Sequence, residues 1–343
     1  MVVTDLESRR NRILDLIITS YINTGTPVGS FYISKRFKSL LSSATIRNVM
    51  AQLEEEGYLT HIHTSSGRIP TDKGFRFYVD SLKKLDRLSQ IEMERIDREF
   101  EEKKQVLEEI IKKASLILSS ITKQAGVVLF PRLKRSIFRR VELVFIEPRK
   151  ILAVLVTSSG LLRDVIVELD TDIRKEELEK ISVFLNSKLE GMPIYEVKRH
   201  LLAKLEAQKD SLFSLFKVAF EIIRLSLLFN EAEELYINGL TNILEQPEFR
   251  NIEKARNIIR KLEERLGLFE ILNKGLAEEG PRVYIGNEYK NPFIESLSLI
   301  TSSYKIGGEV AGVVGVVGPT RMDYGRIIPI VNYIAKILSE RLQ

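Results

Sequence analysis

Apolar residues recur at helical spacing from the start of the chain: Leu6, Ile13, Leu14, Ile17, Ile18 and Tyr21 fall on one stripe, the pattern of an amphipathic helix. Thr4-Asp5-Leu6-Glu7 reads as its capping box with Thr4 as N-cap, and Thr24-Gly25-Thr26-Pro27 ends it near Asn23. A short second helix is expected near Ser30 to Phe37. A third runs from about Ser43 to Glu56, started by a serine of the SLLSS stretch and closed by Gly57. Tyr58 to His63 then reads as a strand, and Ser65-Ser66-Gly67 supplies the turn into a second short strand ending near Pro70. Thr71 or Asp72 caps the next helix. Three helices and a hairpin predict a winged helix-turn-helix.

From about Asp72 to Lys123 the spacing stays mostly helical, with a strongly charged middle, MERIDREFEEKKQ, that suggests a break and a domain boundary near Leu88 to Glu92. Strand-like runs follow at 126–130, 141–147, 151–157 and 161–169, the last three joined by short turns as in an antiparallel meander. Strands return at 283–285, in LSLITSSYKI and in EVAGVVGVVGP, before a final helix from about Tyr324 to Leu342. The glycines of GGEVAGVVGVVGP lack the order of a phosphate loop and predict a tightly packed strand. A sheet built from both ends of this region, with helices on one side, is a multidomain α+β architecture. Its expected parts are a DNA-binding domain at 1–88, an α+β domain at 89–171 continued at 246–343, and a mostly helical insertion at 172–245.

Inside that insertion, LFSLFKVAFEIIRLSLLF (residues 212–229) is apolar on nearly every face yet carries Lys217, Glu221 and Arg224. Three charges argue against a bilayer span. Such a helix must be buried on several sides, in a core or an oligomer contact. Because helix-turn-helix repressors read two-fold operators as dimers, the insertion is the expected dimerisation element, with Phe213, Phe216, Phe220, Ile223 and Leu227 as its contacts.

Composition narrows the chemistry. With 343 residues, 44% hydrophobic and 29% charged, the chain is an ordinary globular protein long enough for two or three domains. It has no cysteine and only three histidines, His61, His63 and His200, which excludes thiolate metal sites and cysteine nucleophiles. No metal, cofactor or enzymatic activity is expected. MVVTDLESRR lacks a secretory pattern, and no uncharged apolar run approaches the roughly 18 residues of a membrane span. A soluble cytoplasmic protein without a membrane partner is therefore expected.

The net charge of +5 says little, but its distribution says more: no acidic residue lies between Asp15 and Glu54, a gap that holds Lys35, Arg36, Lys38 and Arg47. On the third helix Ile46, Val49, Met50 and Leu53 share one side. The opposite face carries Ala44, Arg47, Asn48, Ala51 and Glu55, flanked by Thr45 and Gln52. Taken alone this is an ordinary solvated face. Beside a hairpin it suits a major groove, because arginine can pair with guanine and an amide with adenine, and alanines permit close approach. Double-stranded DNA is the expected partner. The expected contacts are Ser43, Thr45, Arg47, Asn48 and Gln52 on the helix, His61, Ser65, Ser66, Gly67 and Arg68 on the wing, and Lys73 and Arg76 on the following helix.

The run SSATIRNVMAQLEEEGYLTHIHTSSGRIPTDKGFRFYVD (residues 42–80), in particular ATIRN, LEEEGYL and GRIPTDKGFRFYVD, resembles the signature region of the heat-inducible transcription repressor HrcA family. The resemblance implies a repressor that binds an inverted-repeat operator, called CIRCE, upstream of chaperone operons, with activity modulated by the GroE chaperonin. It also implies a GAF-like α+β domain and a homodimer formed through the insertion. The other reading of the same architecture is a winged-helix transcription factor whose GAF-like domain holds a gating metabolite.

Overall fold

The computed structural model describes residues 2–36, 41–63, 66–82, 88–100, 107–130, 137–158, 162–194, 196–197, 218–223, 235–249, 251–263, 265–276, 279–291 and 294–342. The first elements are α1 (Val2–Thr24), α2 (Ser30–Arg36), α3 (Ser43–Glu55), β1 (Leu59–Thr60), β2 (Ile69–Pro70), α4 (Asp72–Ser81), α5 (Gln90–Phe100) and α6 (Leu107–Thr122). Next come β3 (Ala125–Leu129), β4 (Phe138–Glu147), β5 (Lys150–Thr157), β6 (Leu162–Glu168), α7 (Lys175–Leu189), β7 (Leu235–Asn238) and α8 (Leu240–Leu244). The chain ends with α9 (Ile252–Glu263), α10 (Leu266–Gly275), β8 (Pro281–Ile285), β9 (Leu297–Ile306), β10 (Glu309–Pro319) and α11 (Tyr324–Arg341). Among the described residues no helix is long and apolar enough to cross a membrane.

The chain divides into two compact units. One comprises Met1–Leu129, Leu235–Tyr304 and Val313–Arg341, the other Phe130–Glu234, Lys305–Gly312 and Leu342–Gln343. In the first, the apolar stripes of the N-terminal helices close on one another: Ile13, Leu14, Ile17 and Ile18 of α1, Ile33 of α2, and Ile46, Met50 and Leu53 of α3 are all buried. The order of three helices and a two-stranded hairpin is the one expected. Two details differ. α1 starts at Val2, so Thr4 lies within its first turn rather than capping it, because nothing in Val2-Val3 stops the helix extending backwards. The strand expected over Tyr58 to His63 is cut to Leu59–Thr60, paired antiparallel with Ile69–Pro70, because the chain already turns at His63, whose carbonyl accepts the Ser66 N–H.

The rest of the first unit is built on a five-stranded sheet in the order β7-β3-β10-β9-β8. α6 packs along β3 and β7 and against α11. β9 and β10 are buried along nearly their whole length, so the glycine-rich GGEVAGVVGVVGP is a core strand. β7 lies inside the stretch expected to be mostly helical. Its four residues pair with Gly126–Leu129 on the far edge of the sheet, and a strand so short shows no periodicity to distinguish it from its surroundings.

The second unit holds the meander, and here the expected single sheet is corrected: β4, β5 and β6 form a separate three-stranded sheet. Their inward residues, among them Val141, Ile151, Ala153, Leu155 and Val167, form one core with Ile181 and Leu185 of α7. Asn186 fixes α7 to the sheet by accepting the Val141 N–H at 2.7 Å and donating to its carbonyl at 2.9 Å. Residues 218–223 are helical, as expected. However, Ile223 is 1% exposed, which corrects its assignment to a dimer surface, while Phe220 is half-buried against the same core. Their apolar character is used within the unit. Phe213, Phe216 and Leu227 lie outside the described residues.

The outer face of this sheet is apolar and open. Val144, Leu152 and Ile166 stand in register across the three strands. Val144 is 49% and Ile166 58% exposed, with Ile146 beside them at 48%.

Candidate nucleic-acid interface

α3 is held at both ends by local chemistry. The Ser42 side chain accepts the Thr45 N–H at 3.0 Å, a cap worth about 1 kcal/mol. At the other end Gly57, at φ +78°, takes the left-handed turn. There the Gly57 N–H bonds the Glu54 carbonyl and the Tyr58 N–H the Leu53 carbonyl, both at 2.9 Å, closing the helix as glycine after a C-cap does. Ser43, expected among the DNA contacts, shares a hydrogen bond with Ser30 at 2.9 Å and ties α2 to α3. With the apolar side of α3 buried, Ala44, Thr45, Arg47, Asn48, Ala51, Gln52 and Glu55 are left exposed on the other.

The hairpin is fastened to this helix by one carboxylate. Glu54 pairs with His61 Nδ1 and, at 2.7 Å, with the Arg68 guanidinium. Arg68 also exchanges both backbone hydrogen bonds with Val28 at 2.9 Å, which bridges the wing to the segment before α2. That contact explains Gly67: a Cβ there would lie 2.6 Å from the Val28 carbonyl. Ser66 donates to the His63 carbonyl at 2.6 Å. Ser66 and Gly67 therefore build the turn; Ser65 lies outside the described residues. Between wing, α2 and α3 opens a cleft of about 400 Å³ lined by Ser30, Arg47, Met50, Ser66 and Arg68.

Two expected phosphate contacts are engaged elsewhere. Lys73 donates to the Glu56 carbonyl at 2.8 Å and lies over the Tyr58 ring at 4.3 Å, where its charge faces the carbonyl end of α3. Arg76 bonds Glu288 at 2.8 to 3.2 Å and the Val283 carbonyl at 2.7 Å. Burial works against its charge, but the hydrogen bonds and charges of Glu288 and Asp80 together more than offset this and raise its pKa.

On α2, two aromatic residues not named from the sequence accompany Lys35 and Arg36. Phe31 and Tyr32 are 65% and 41% exposed, with Lys35 over the Phe31 ring at 4.7 Å and Arg36 over the Tyr32 ring at 5.7 Å. The acid-free gap between Asp15 and Glu54 was the signal that pointed to the two cations. The helices and wing thus present amides, one arginine and two aromatic-stacked cations to solvent, a surface suited to base edges and a phosphate backbone.

The family model for the HrcA protein C terminal domain matches residues 108–328. A heat-inducible transcription repressor HrcA from Syntrophobacter fumaroxidans is 40% identical over 346 residues, covering 99% of both chains. Its counterpart from Geobacter sulfurreducens is 41% identical over 341 residues, again 99% of both. A crystal structure of a hypothetical protein is similar over 97% of this chain and 98% of its own, with a TM-score of 0.61 and 24% identity, a likeness of fold alone. With this identity sustained along both full-length relatives, the chain belongs to the heat-inducible transcription repressor HrcA family.

Proposed function

We propose that this chain represses chaperone operons in the cytoplasm by binding, as a homodimer, an inverted-repeat operator of the CIRCE type, and that the GroE chaperonin modulates its activity. The observation that carries the DNA-binding reading is the outward face of α3, where Arg47, Asn48 and Gln52 are exposed on a capped helix beside the wing. Arg47 pairs with a guanine edge and the amides with adenine. Thr45 and the α2 cations steady the backbone beside it, while Arg68 and His61, both held by Glu54, set the wing against α3. Arg76 is left out of this contact set, its guanidinium being taken by Glu288. The operator type and the chaperonin rest on family membership.

An inverted repeat requires two copies related by a two-fold axis. The open sheet face bearing Val144, Leu152 and Ile166 supports a second copy as its occupant. An apolar row is flanked there by charges of both signs, Arg140 and Lys150 with Glu142, Asp164 and Glu168, so the face can meet itself. The variant Val144→Glu/Ile166→Glu is expected to sediment as a folded monomer; a dimer of unchanged stability would refute this surface.

Footprinting on a promoter fragment containing an inverted repeat tests the function itself. Two protected half-sites, with protection altered by added chaperonin, are expected. Uniform or absent protection would remove the operator reading, and protection indifferent to chaperonin would remove the modulation.

A further inference from the structure

Among the described residues the N-terminal helices are tied to the five-stranded-sheet region through α1 and α4. Arg76 of α4 spans the Glu288 carboxylate and the Val283 carbonyl. Asp72, at the start of the same helix, accepts the Asn287 backbone N–H at 2.9 Å. Arg321, its side chain only 13% exposed, donates to the Ile22 carbonyl at 2.6 Å near the end of α1 and pairs with Glu248. Between these ties the Tyr21, Phe75 and Tyr324 rings follow one another, with centroids 6.3 and 6.0 Å apart. Tyr324 is itself anchored, donating to the Thr320 carbonyl at 2.7 Å and sharing a hydrogen bond with Ser298 at 2.8 Å.

We infer that Arg321 and the Arg76–Glu288 pair determine which half-site spacing the repressor accepts, although they touch no DNA. The inference rests on the dimeric operator reading above. In a dimer the separation of the two recognition helices must match the separation of the half-sites. A reading module attached only through its connecting chain would find the second half-site by effective concentration, which changes slowly with spacing. A module tied at α1 and α4 presents α3 in one direction relative to the five-stranded sheet, which narrows the spacings that a dimer can reach. The ties are chemically suited to this. A planar guanidinium bonded to a carboxylate and a carbonyl together fixes orientation as well as distance, and the aromatic contacts resist sliding.

The test measures binding of the full chain to three kinds of duplex: a single half-site, the inverted repeat, and inverted repeats with the spacer lengthened or shortened by a few base pairs. Glu288→Arg and Arg321→Gln are expected to keep wild-type affinity for the single half-site and to flatten the preference for one spacing by about tenfold. Glu288→Gln, which keeps an acceptor for the Arg76 guanidinium and leaves its bond to the Val283 carbonyl in place, is the conservative rescue and is expected to recover most of the preference. Because Arg76 is unchanged in both variants, a half-site affinity that stays at the wild-type level separates a positioning role for Arg76 from direct phosphate contact. If Arg321→Gln fails to fold, Glu288→Arg and its rescue decide the question. An unchanged spacing preference in folded Glu288→Arg and Arg321→Gln overturns the inference. So does a tighter complex on the original repeat, which would make the ties a restraint on binding. A wild-type chain that is monomeric or ignores the single half-site would instead remove the reading on which the inference stands, and half-site titration with sedimentation reports that separately.

Discussion

Arg47→Ala is expected to lower affinity for the operator by about tenfold to a hundredfold, the cost of one bidentate arginine–guanine pair, while binding to unrelated duplex changes little. The arginine stands on the exposed face of α3, one position past the buried Ile46, so its removal leaves the core of the module intact. Arg47→Lys is the informative companion. It keeps the charge but lacks the planar fork that matches two acceptors, and it is expected to lose nearly as much specificity as alanine. Anisotropy titrations of operator and scrambled duplex over a range of salt separate the two contributions, because a phosphate contact would appear as a change of about one in the salt slope for both duplexes. Equal loss on both duplexes with retention in the lysine variant would make Arg47 a phosphate contact and leave Asn48 and Gln52 to read bases.

Phe75→Ala is expected to destabilise the first unit by about 3 to 5 kcal/mol, the usual cost of removing a buried aromatic ring. Phe75 is 2% exposed and lies against both Tyr21 and Tyr324, so the cavity would open between helices from distant parts of the sequence and could not easily collapse. The contrasting variant is Phe31→Ala. That ring is 65% exposed on α2, and its removal should shift stability by no more than about 0.5 kcal/mol. Chemical denaturation followed by circular dichroism compares the two. A loss below about 1 kcal/mol for Phe75→Ala would mean that the contact between α4 and α11 is looser than its burial indicates. A large loss for Phe31→Ala would mean that α2 packs against something in solution.

Much of the candidate interface was readable without coordinates. The exposed face of α3, its closure at Gly57, a cap at Thr71 or Asp72 and the position of the wing followed from residues close together in sequence. α3 starts at Ser43 as expected, and of the SLLSS serines it is Ser42 that caps it, while Ser43, expected at the DNA, reaches across to Ser30. Adjacent serines offer the same local signal, and only the neighbouring helix distinguishes them. Arg76 shows the larger failure. An arginine in the first turns of a helix after a wing reads naturally as a phosphate contact, yet its partner, Glu288, lies 212 residues away.

The same division runs through the whole chain. Sequence alone determined what depends on contacts within about a turn of helix or along one strand: the helices of the N-terminal module, the strand character of GGEVAGVVGVVGP, the amphipathic sides of α3 and the local signature of the family. The tertiary structure alone decided the partition of strands into two sheets, the addition of β7 to the edge of the larger one and the burial of Ile223. It also decided the Val28–Arg68 bridge, the Glu54 clasp on the wing and the ties at Arg76 and Arg321. The physical reason is that periodicity records which face of an element is apolar but not which distant surface will cover it. An ionisable side chain likewise carries no mark of whether its counter-charge will come from DNA or from its own fold.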